Sequence, residues 1–313
     1  MKLTFQQIQT ITVGAARIWE EANGIHFAKL TKAQQDALDT NHPRFASNGV
    51  ATTGVRLDFC TDSPFFSYTT LTNGKYELKV DGLLTDCITA KAGEAVTYTF
   101  SDTLPSHRVT LHLPSHGQGG GFAEVTLADG STFERHKFDR KFLFIGDSIT
   151  QGWNSELDTL SYAYQVCDHF NAESIIQGVG GACYDEATLD SIPFDPDTVF
   201  VAYGTNDISS VPTIEEIEAN CSAFLQKLRR LFPAPRICVI TPPWSHKENH
   251  PYPAGKLADA RATIASVAKR LALDVIDGKT MIPPLATMMA DAVHPNDIGF
   301  ACYAHNLIKA LSK

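Results

Sequence analysis

Four short polar stretches carry the residue types that acyl transfer needs: Gly146-Asp147-Ser148, Gly178-Val179-Gly180-Gly181, Gly204-Thr205-Asn206-Asp207 and Asp291-Ala292-Val293-His294. A serine hydroxyl is a poor nucleophile until a base takes its proton, and His294 suits that role near neutral pH. Asp291, three residues earlier, can turn back on its own segment and hold the imidazole in one tautomer. A tetrahedral intermediate carries an oxyanion that needs donors already in place. The Ser148 N–H, a glycine N–H and the Asn206 amide could supply them, and losing one such donor typically costs about 3 kcal/mol. Each stretch alone says little, because Gly-Asp-Ser by itself usually marks a turn or a helix N-cap. Asp147 and Asp207 stand close to the chemistry, but their expected role is to bond the local backbone.

The weight lies in where these stretches fall. After residue 140 the chain alternates strand, loop and helix. Runs of buried type occur at 142–145, 174–176, 198–202, 237–240 and 273–276, with helical patterns at 162–170, 214–231, 254–271 and 298–311. Continuous apolar strands alternating with helices predict a doubly wound parallel sheet covered on both faces. Ligands of such sheets sit outside the carboxyl ends of the strands. Three of the polar stretches follow predicted strands directly, and the fourth precedes the last helix, so all four can meet on one rim.

Before residue 140 the texture differs. Residues 55–59, 76–80, 96–100 and 109–113 alternate apolar and polar, and turn formers such as Asn73-Gly74, Asp81-Gly82 and Asp129-Gly130 punctuate the region. That pattern predicts an antiparallel β-sandwich or barrel. The first fifty residues, with mixed spacing at 3–22 and a short helix at 30–38, are expected to form a lead-in packed on the sandwich. The domains are therefore expected at 1–139 and 140–313.

On these four blocks the chain resembles the SGNH/GDSL hydrolase superfamily, over residues 141–313. The serine block reads Gly-Asp-Ser-Ile, with Ile149 where the family name has leucine. The asparagine block is Gly-Thr-Asn-Asp and the last block is Asp-x-x-His. The resemblance implies a flavodoxin-like α/β/α domain and no metal or other cofactor. It also implies ester hydrolysis through an acyl-enzyme on Ser148, with His294 as base, Asp291 as orienting acid and Asn206 in the oxyanion hole. For the glycine donor Gly181 fits best, and Gly178 and Gly180 stay open. The N-terminal region is similar to the jelly-roll-like domains of bacterial SGNH carbohydrate esterases, an analogy that points to O-acetyl groups on a carbohydrate. Two alternatives share the site, an acyltransferase and a lipase- or thioesterase-type acylhydrolase. A third, of another class, is a carbohydrate-binding protein with a weak catalytic domain.

The remaining composition sets bounds. The 313 residues are 43% hydrophobic and 19% charged, an ordinary balance for large cores. Acidic residues outnumber basic ones 35 to 26, for a net charge of −9, which disfavours nucleic acid and anionic membranes as partners. A small-molecule or oligosaccharide ester is the expected partner. Polar residues at Gln6, Gln7 and Gln9 interrupt any signal-peptide core, no run nears the about 18 apolar residues of a membrane span, and the expected location is cytoplasmic. Seven cysteines without a CxxC pair read as buried small side chains, Cys183 among them. His246 and His250 have metal-pair spacing, but Pro242, Pro243, Pro251 and Pro253 deny them a helix. Trp153 and Trp244, each following a strand-end loop, are candidate walls of a substrate pocket.

Overall fold

Alternating apolar residues make each short N-terminal strand present one face to a core. The computed structural model describes residues 1–101 and 104–312. Residues 102, 103 and 313 fall within the two expected domain ranges but lie outside those described. The chain divides into two compact units, Met1–Leu30 with Val50–Phe138, and Thr31–Gly49 with Asp139–Lys313.

Among its described residues the first unit holds helix α1 (Phe5–Ile11) and eleven strands: β1 (Thr12–Val13), β2 (Arg17–Glu21), β3 (Gly24–Ala28), β4 (Arg56–Thr61), β5 (Phe65–Thr70), β6 (Gly74–Val80), β7 (Leu83–Ala90), β8 (Ala95–Thr99), β9 (His107–His112), β10 (Gly121–Leu127) and β11 (Phe133–Arg135). They make two antiparallel sheets, ordered β1-β4-β9-β6-β7 with β11 against β4, and β2-β3-β10-β5-β8. Leu57, Phe59, Leu78 and Leu111 of one sheet and Phe27, Phe66, Tyr68 and Phe122 of the other share a single buried core. This is the expected sandwich. Residues 1–30 are more than a lead-in, because β1 joins one sheet and the β2–β3 hairpin the other. The turn residues are Ala22 and Asn23, and Gly24, which opens β3 opposite Glu21, takes φ +140°.

The second unit contains a five-stranded parallel sheet of β12 (Arg140–Gly146), β13 (Ala172–Gly178), β14 (Thr198–Ala202), β15 (Arg236–Ile240) and β16 (Asp274–Ile276), ordered β13-β12-β14-β15-β16. The helices are α2 (Lys32–Asn41), α3 (Ser148–Gln151), α4 (Tyr162–His169), α5 (Asp207–Ser210), α6 (Ile214–Leu231), α7 (Leu257–Arg270) and α8 (Asp297–Leu311). Phe142, Phe144, Phe200 and Cys238 form one core with α4 and α8. The alternate residues Leu143, Val199, Val201 and Val239 are equally buried on the opposite face. That burial on both faces is why these strands read as continuous apolar runs. The order is the flavodoxin-like one, whose direction reverses between β12 and β14, so a crevice opens at their carboxyl ends.

Helix α2 departs from the expected partition, since residues 31–49 belong to the second unit. The cause is polar. Gln34 is buried and exchanges two side-chain hydrogen bonds of 3.0 Å with Gln177 on β13, and Thr31 Oγ1 donates to Asp190 at 2.7 Å. Apolar periodicity carries no trace of such pairs.

Two glycines set how closely the serine turn approaches the sheet. A side chain at Gly146 would lie 2.7 Å from the Ala202 carbonyl oxygen and overlap Thr150, and one at Gly178 would lie 2.6 Å from Gln151 Cα. The obstacle at Gly178 is backbone and cannot swing aside. Gly178→Ala is expected to destabilise the protein by about 1–3 kcal/mol, seen as a lowered melting temperature. An unchanged melting temperature would mean that α3 does not sit this tightly on β13.

Candidate active site

Ser148 is the first residue of α3, directly after β12. Asp147 caps that helix, its Oδ1 accepting the Ile149 N–H at 2.9 Å. Behind it Thr150 Oγ1 bonds Tyr162 Oη at 2.9 Å, and Tyr162 stacks on Tyr303 with ring centroids 4.1 Å apart. The serine turn is thus anchored to β12, α4 and α8, and Ser148 is itself buried, 7% exposed.

His294 and Asp291 come from the loop before α8. That loop is closed by the Ala290 N–H to His294 carbonyl bond (2.9 Å) and the Asn296 N–H to Met288 carbonyl bond (3.0 Å). His294 Nε2 lies 2.8 Å from Ser148 Oγ, and His294 Nδ1 lies 2.8 Å from Asp291 Oδ2. Asp291 Oδ1 accepts the N–H groups of Val293 and His294, each at 2.7 Å. Partial burial works to raise the Asp291 pKa, but these donors and the imidazole outweigh it and hold the carboxyl down at about 2. Asp291 is therefore anionic across the neutral range. A hydroxyl, an imidazole and a carboxylate in line can pass a proton from oxygen to nitrogen while the carboxylate steadies the charge.

The glycine turn packs on α3, which carries Ser148, and Asn206 bonds the residue that follows that turn. Gly180 N–H donates to Gln151 Oε1 at 2.7 Å, and the Gly180 carbonyl accepts from Asn48 at 2.9 Å. Gly181 takes φ +87°, and any side chain there would strike the Phe45 ring. Among the described residues, no acceptor takes the N–H of Gly181 or of Ser148. Asn206 donates one amide hydrogen to the Ala182 carbonyl at 3.1 Å, leaving its second hydrogen for another acceptor.

Asp207 joins the two loops. Its carboxylate accepts the Tyr184 and Gly204 N–H groups, both at 2.9 Å. Burial pushes Asp147 up to about 7, with the charge of Asp207 adding to the rise, and burial pushes Asp207 up to about 6. Asp147 bonds local backbone, as expected, whereas Asp207 bonds the nearby Gly204 N–H and also reaches the Tyr184 N–H, 23 residues away. Burial and Asp207 also push the Cys183 thiol up, which keeps it a protonated, unreactive neighbour.

Trp153 stands beside the serine and histidine, half-buried, its ring centroid 6.3 Å from that of His294. Trp244 packs edge-on against His246 at 5.2 Å and makes no ring contact with His294. Its loop is pinned by the buried Arg261 of α7, whose guanidinium donates to the carbonyls of Pro242 (2.6 Å) and Pro243 (2.8 Å) and makes a bidentate pair with Glu248, 2.7 Å in each arm. Arg261, Gln151, Asn48 and Phe45 were not legible in the sequence. Each acts on a partner at least 13 residues away, and Gln151 left just a weak mark, as a polar residue in a buried turn. No described helix is long and apolar enough to cross a membrane, and no cluster of three or more metal-ligating side chains occurs among the described residues.

A family profile for GDSL-like lipases and acylhydrolases matches residues 144–302, just over half the chain. The chain belongs to the GDSL-like lipase/acylhydrolase family. Three solved structures resemble this acylhydrolase along nearly its whole length. The salicylyl-acyltransferase SsfX3 from a tetracycline biosynthetic pathway is 19% identical, with a TM-score of 0.80 and coverage of 96% of this chain and 94% of that one. A family two carbohydrate esterase from Clostridium thermocellum, in complex with cellohexaose, is 16% identical, with a TM-score of 0.70 and coverage of 96% and 98%. The acetyl xylan esterase Est2A from Butyrivibrio proteoclasticus is 15% identical, with a TM-score of 0.67 and coverage of 99% and 97%. At these identities the likeness is one of fold. A comparison with curated protein sequences gave no match.

The two buried carboxyls of this GDSL acylhydrolase make its stability depend on pH. Their pKa values in the folded chain lie above the ordinary carboxyl range of about 4. Their contribution to stability is full below that range and is lost as pH rises through about 6 to 7. Asp147→Asn keeps an acceptor for the Ile149 N–H and cannot ionise. Its melting temperature relative to wild type is expected to rise between pH 4 and pH 8. A difference that stays constant across that range would mean Asp147 does not titrate there.

Proposed function

We propose that the chain is a serine esterase that removes small acyl groups, most specifically O-acetyl groups from a carbohydrate. The observation that carries the reading is the unbroken hydrogen-bond chain from Asp291 through His294 to Ser148, at 2.8 Å in both links. Ser148 Oγ attacks the ester carbonyl carbon as His294 Nε2 takes its proton. The tetrahedral intermediate collapses, His294 returns the proton to the departing alcohol oxygen, and the acyl group remains on Ser148. Water, deprotonated by the same imidazole, then releases the acid. Asp291 holds the Nδ1 proton and steadies the imidazolium. The N–H groups of Ser148 and Gly181 and the Asn206 amide bind the oxyanion. Commitment of the Gly180 N–H to Gln151 supports Gly181 as the glycine donor.

The carbohydrate reading is supported by the fold shared with the cellohexaose-bound esterase and the acetyl xylan esterase. In it Trp153, next to His294, walls the acyl or sugar site, and Trp244 lines the approach from its own loop. Its partner is then an oligosaccharide or small-molecule ester. Seven cysteines without a CxxC pair fit a reducing compartment, hence a cytoplasmic location.

A second reading has one observation in its favour, the fold shared with a salicylyl-acyltransferase. An alcohol or amine would then take the acyl group from Ser148 in place of water. A transfer product that dominates at low acceptor concentration would displace simple hydrolysis.

Ser148→Ala is expected to cut turnover of p-nitrophenyl acetate by about a thousandfold or more and to abolish fluorophosphonate labelling, with the melting temperature kept. Retained turnover in folded Ser148→Ala protein would refute the assignment. In an acyl series from acetate to octanoate, acetate is the expected optimum, and a preference for long chains would move the reading to a lipase or thioesterase.

A further inference from the structure

Asn154 adopts a conformation that glycine would take more easily. Its φ is +70°, in the left-handed region, where a side chain usually costs stability. Asparagine is among the few residues that tolerate this conformation, so the turn alone would explain Asn or Gly. The side chain, however, is engaged at long range. Its Nδ2 donates to Asp291 Oδ2 at 2.8 Å, across 137 positions of sequence. That oxygen is also the one that faces His294 Nδ1.

The other anchors of Asp291 cannot replace this one. Among the described residues, Oδ1 accepts from Val293 and His294, two and three residues along its own loop. Those bonds fix the carboxylate within the loop but not against the segment that carries Ser148. The Asn154 bond does so, and the Glu156 N–H adds a second tie to Asp297 Oδ1 at 2.9 Å in the first turn of α8. The Asp291 side chain is 45% exposed, so without an anchor water would compete for Oδ2.

We propose that Asn154 is a positioning residue, whose amide fastens the Asp291 carboxylate to the serine-bearing segment and so keeps His294 in line with Ser148. The proposal rests on the triad reading of Ser148, His294 and Asp291. Of the charged or titratable groups, His294 faces the same carboxylate from its own loop, and Glu156 and Asp297 lie on the two segments that the neighbouring tie joins. Asparagine serves here because it meets two demands at once, the left-handed turn and a neutral donor facing an anion.

Glycine separates the two demands. Asn154→Gly keeps the turn and removes only the amide, so the melting temperature is expected to hold. With p-nitrophenyl acetate, kcat is expected to fall about tenfold, the scale of a small misalignment of catalytic groups, with KM little changed. In an Asp291→Ala background the same substitution is expected to cost nothing further, because the group it acts through is gone. Asn154→Asp also tolerates the turn but sets a second carboxylate against Asp291. It is expected to lower kcat further and to move the acid limb of kcat/KM to higher pH, since added negative charge beside the ring favours imidazolium.

Asn154→Gly at wild-type kcat, with Asp291→Ala impaired, would overturn this inference and leave the triad reading standing. An equal loss from Asn154→Gly with and without Asp291 would assign Asn154 a purely structural role and overturn it as well. Wild-type turnover in Asp291→Ala would remove the triad reading, and this inference with it.

Discussion

A proton can leave a serine hydroxyl during attack only if a base stands within hydrogen-bond reach. Here the facing nitrogen belongs to a residue 146 positions further along the chain, 2.8 Å away. The other features of the second unit serve that distance. The parallel sheet delivers Ser148 at the end of β12, and α8 begins three residues after His294. Tyr162 and Tyr303 stack beneath the serine turn and join α4 to α8. The two sides of the hydrogen bond therefore rest on one packed core, and a shift in that core would lengthen the bond.

The same logic explains the acids that stand outside the Asp291–His294–Ser148 hydrogen-bond chain. Asp147 holds the turn on which Ser148 sits. Asp207 ties the start of the Asn206 turn to the end of the glycine turn, so two separate loops keep a fixed spacing. Both carboxyls are buried, and that burial raises their pKa values. Some stability at neutral pH is given up to hold backbone N–H groups in place. Asp291 is arranged the opposite way, more exposed and rich in donors, and remains charged. Three aspartates within one site thus differ in ionisation because their surroundings differ.

The segment Thr31–Gly49 shows how support can come from far away in sequence. It leaves the first unit, packs Gln34 on β13, sets Phe45 over Gly181 and gives Asn48 to the Gly180 carbonyl. The turn at Gly181 is thereby shaped by residues well over a hundred positions upstream. Arg261 does similar work for the loop of Trp244, by satisfying two proline-loop carbonyls and Glu248 together.

Much of this was legible in the sequence, and the reason is periodicity. Strands buried on both faces must be continuously apolar, so the five parallel strands and the helices between them could be read within a few residues. The motifs at their ends named Ser148, Asn206, Asp291 and His294. The sandwich showed in its alternation, apart from the β2–β3 hairpin, where charged and polar residues diluted the pattern. Side-chain pairing between distant polar residues leaves no such trace. Gln34 with Gln177, Arg261 with Glu248 and Asn154 with Asp291 each need two segments that only packing brings together. The sequence by itself determined which residue types were on hand for the chemistry and on which strand ends they fell. Tertiary structure decided which glycine kept its N–H unpaired, which chain segments braced the site, and how Asp291 was fastened. Those depend on distances between segments that no local pattern encodes.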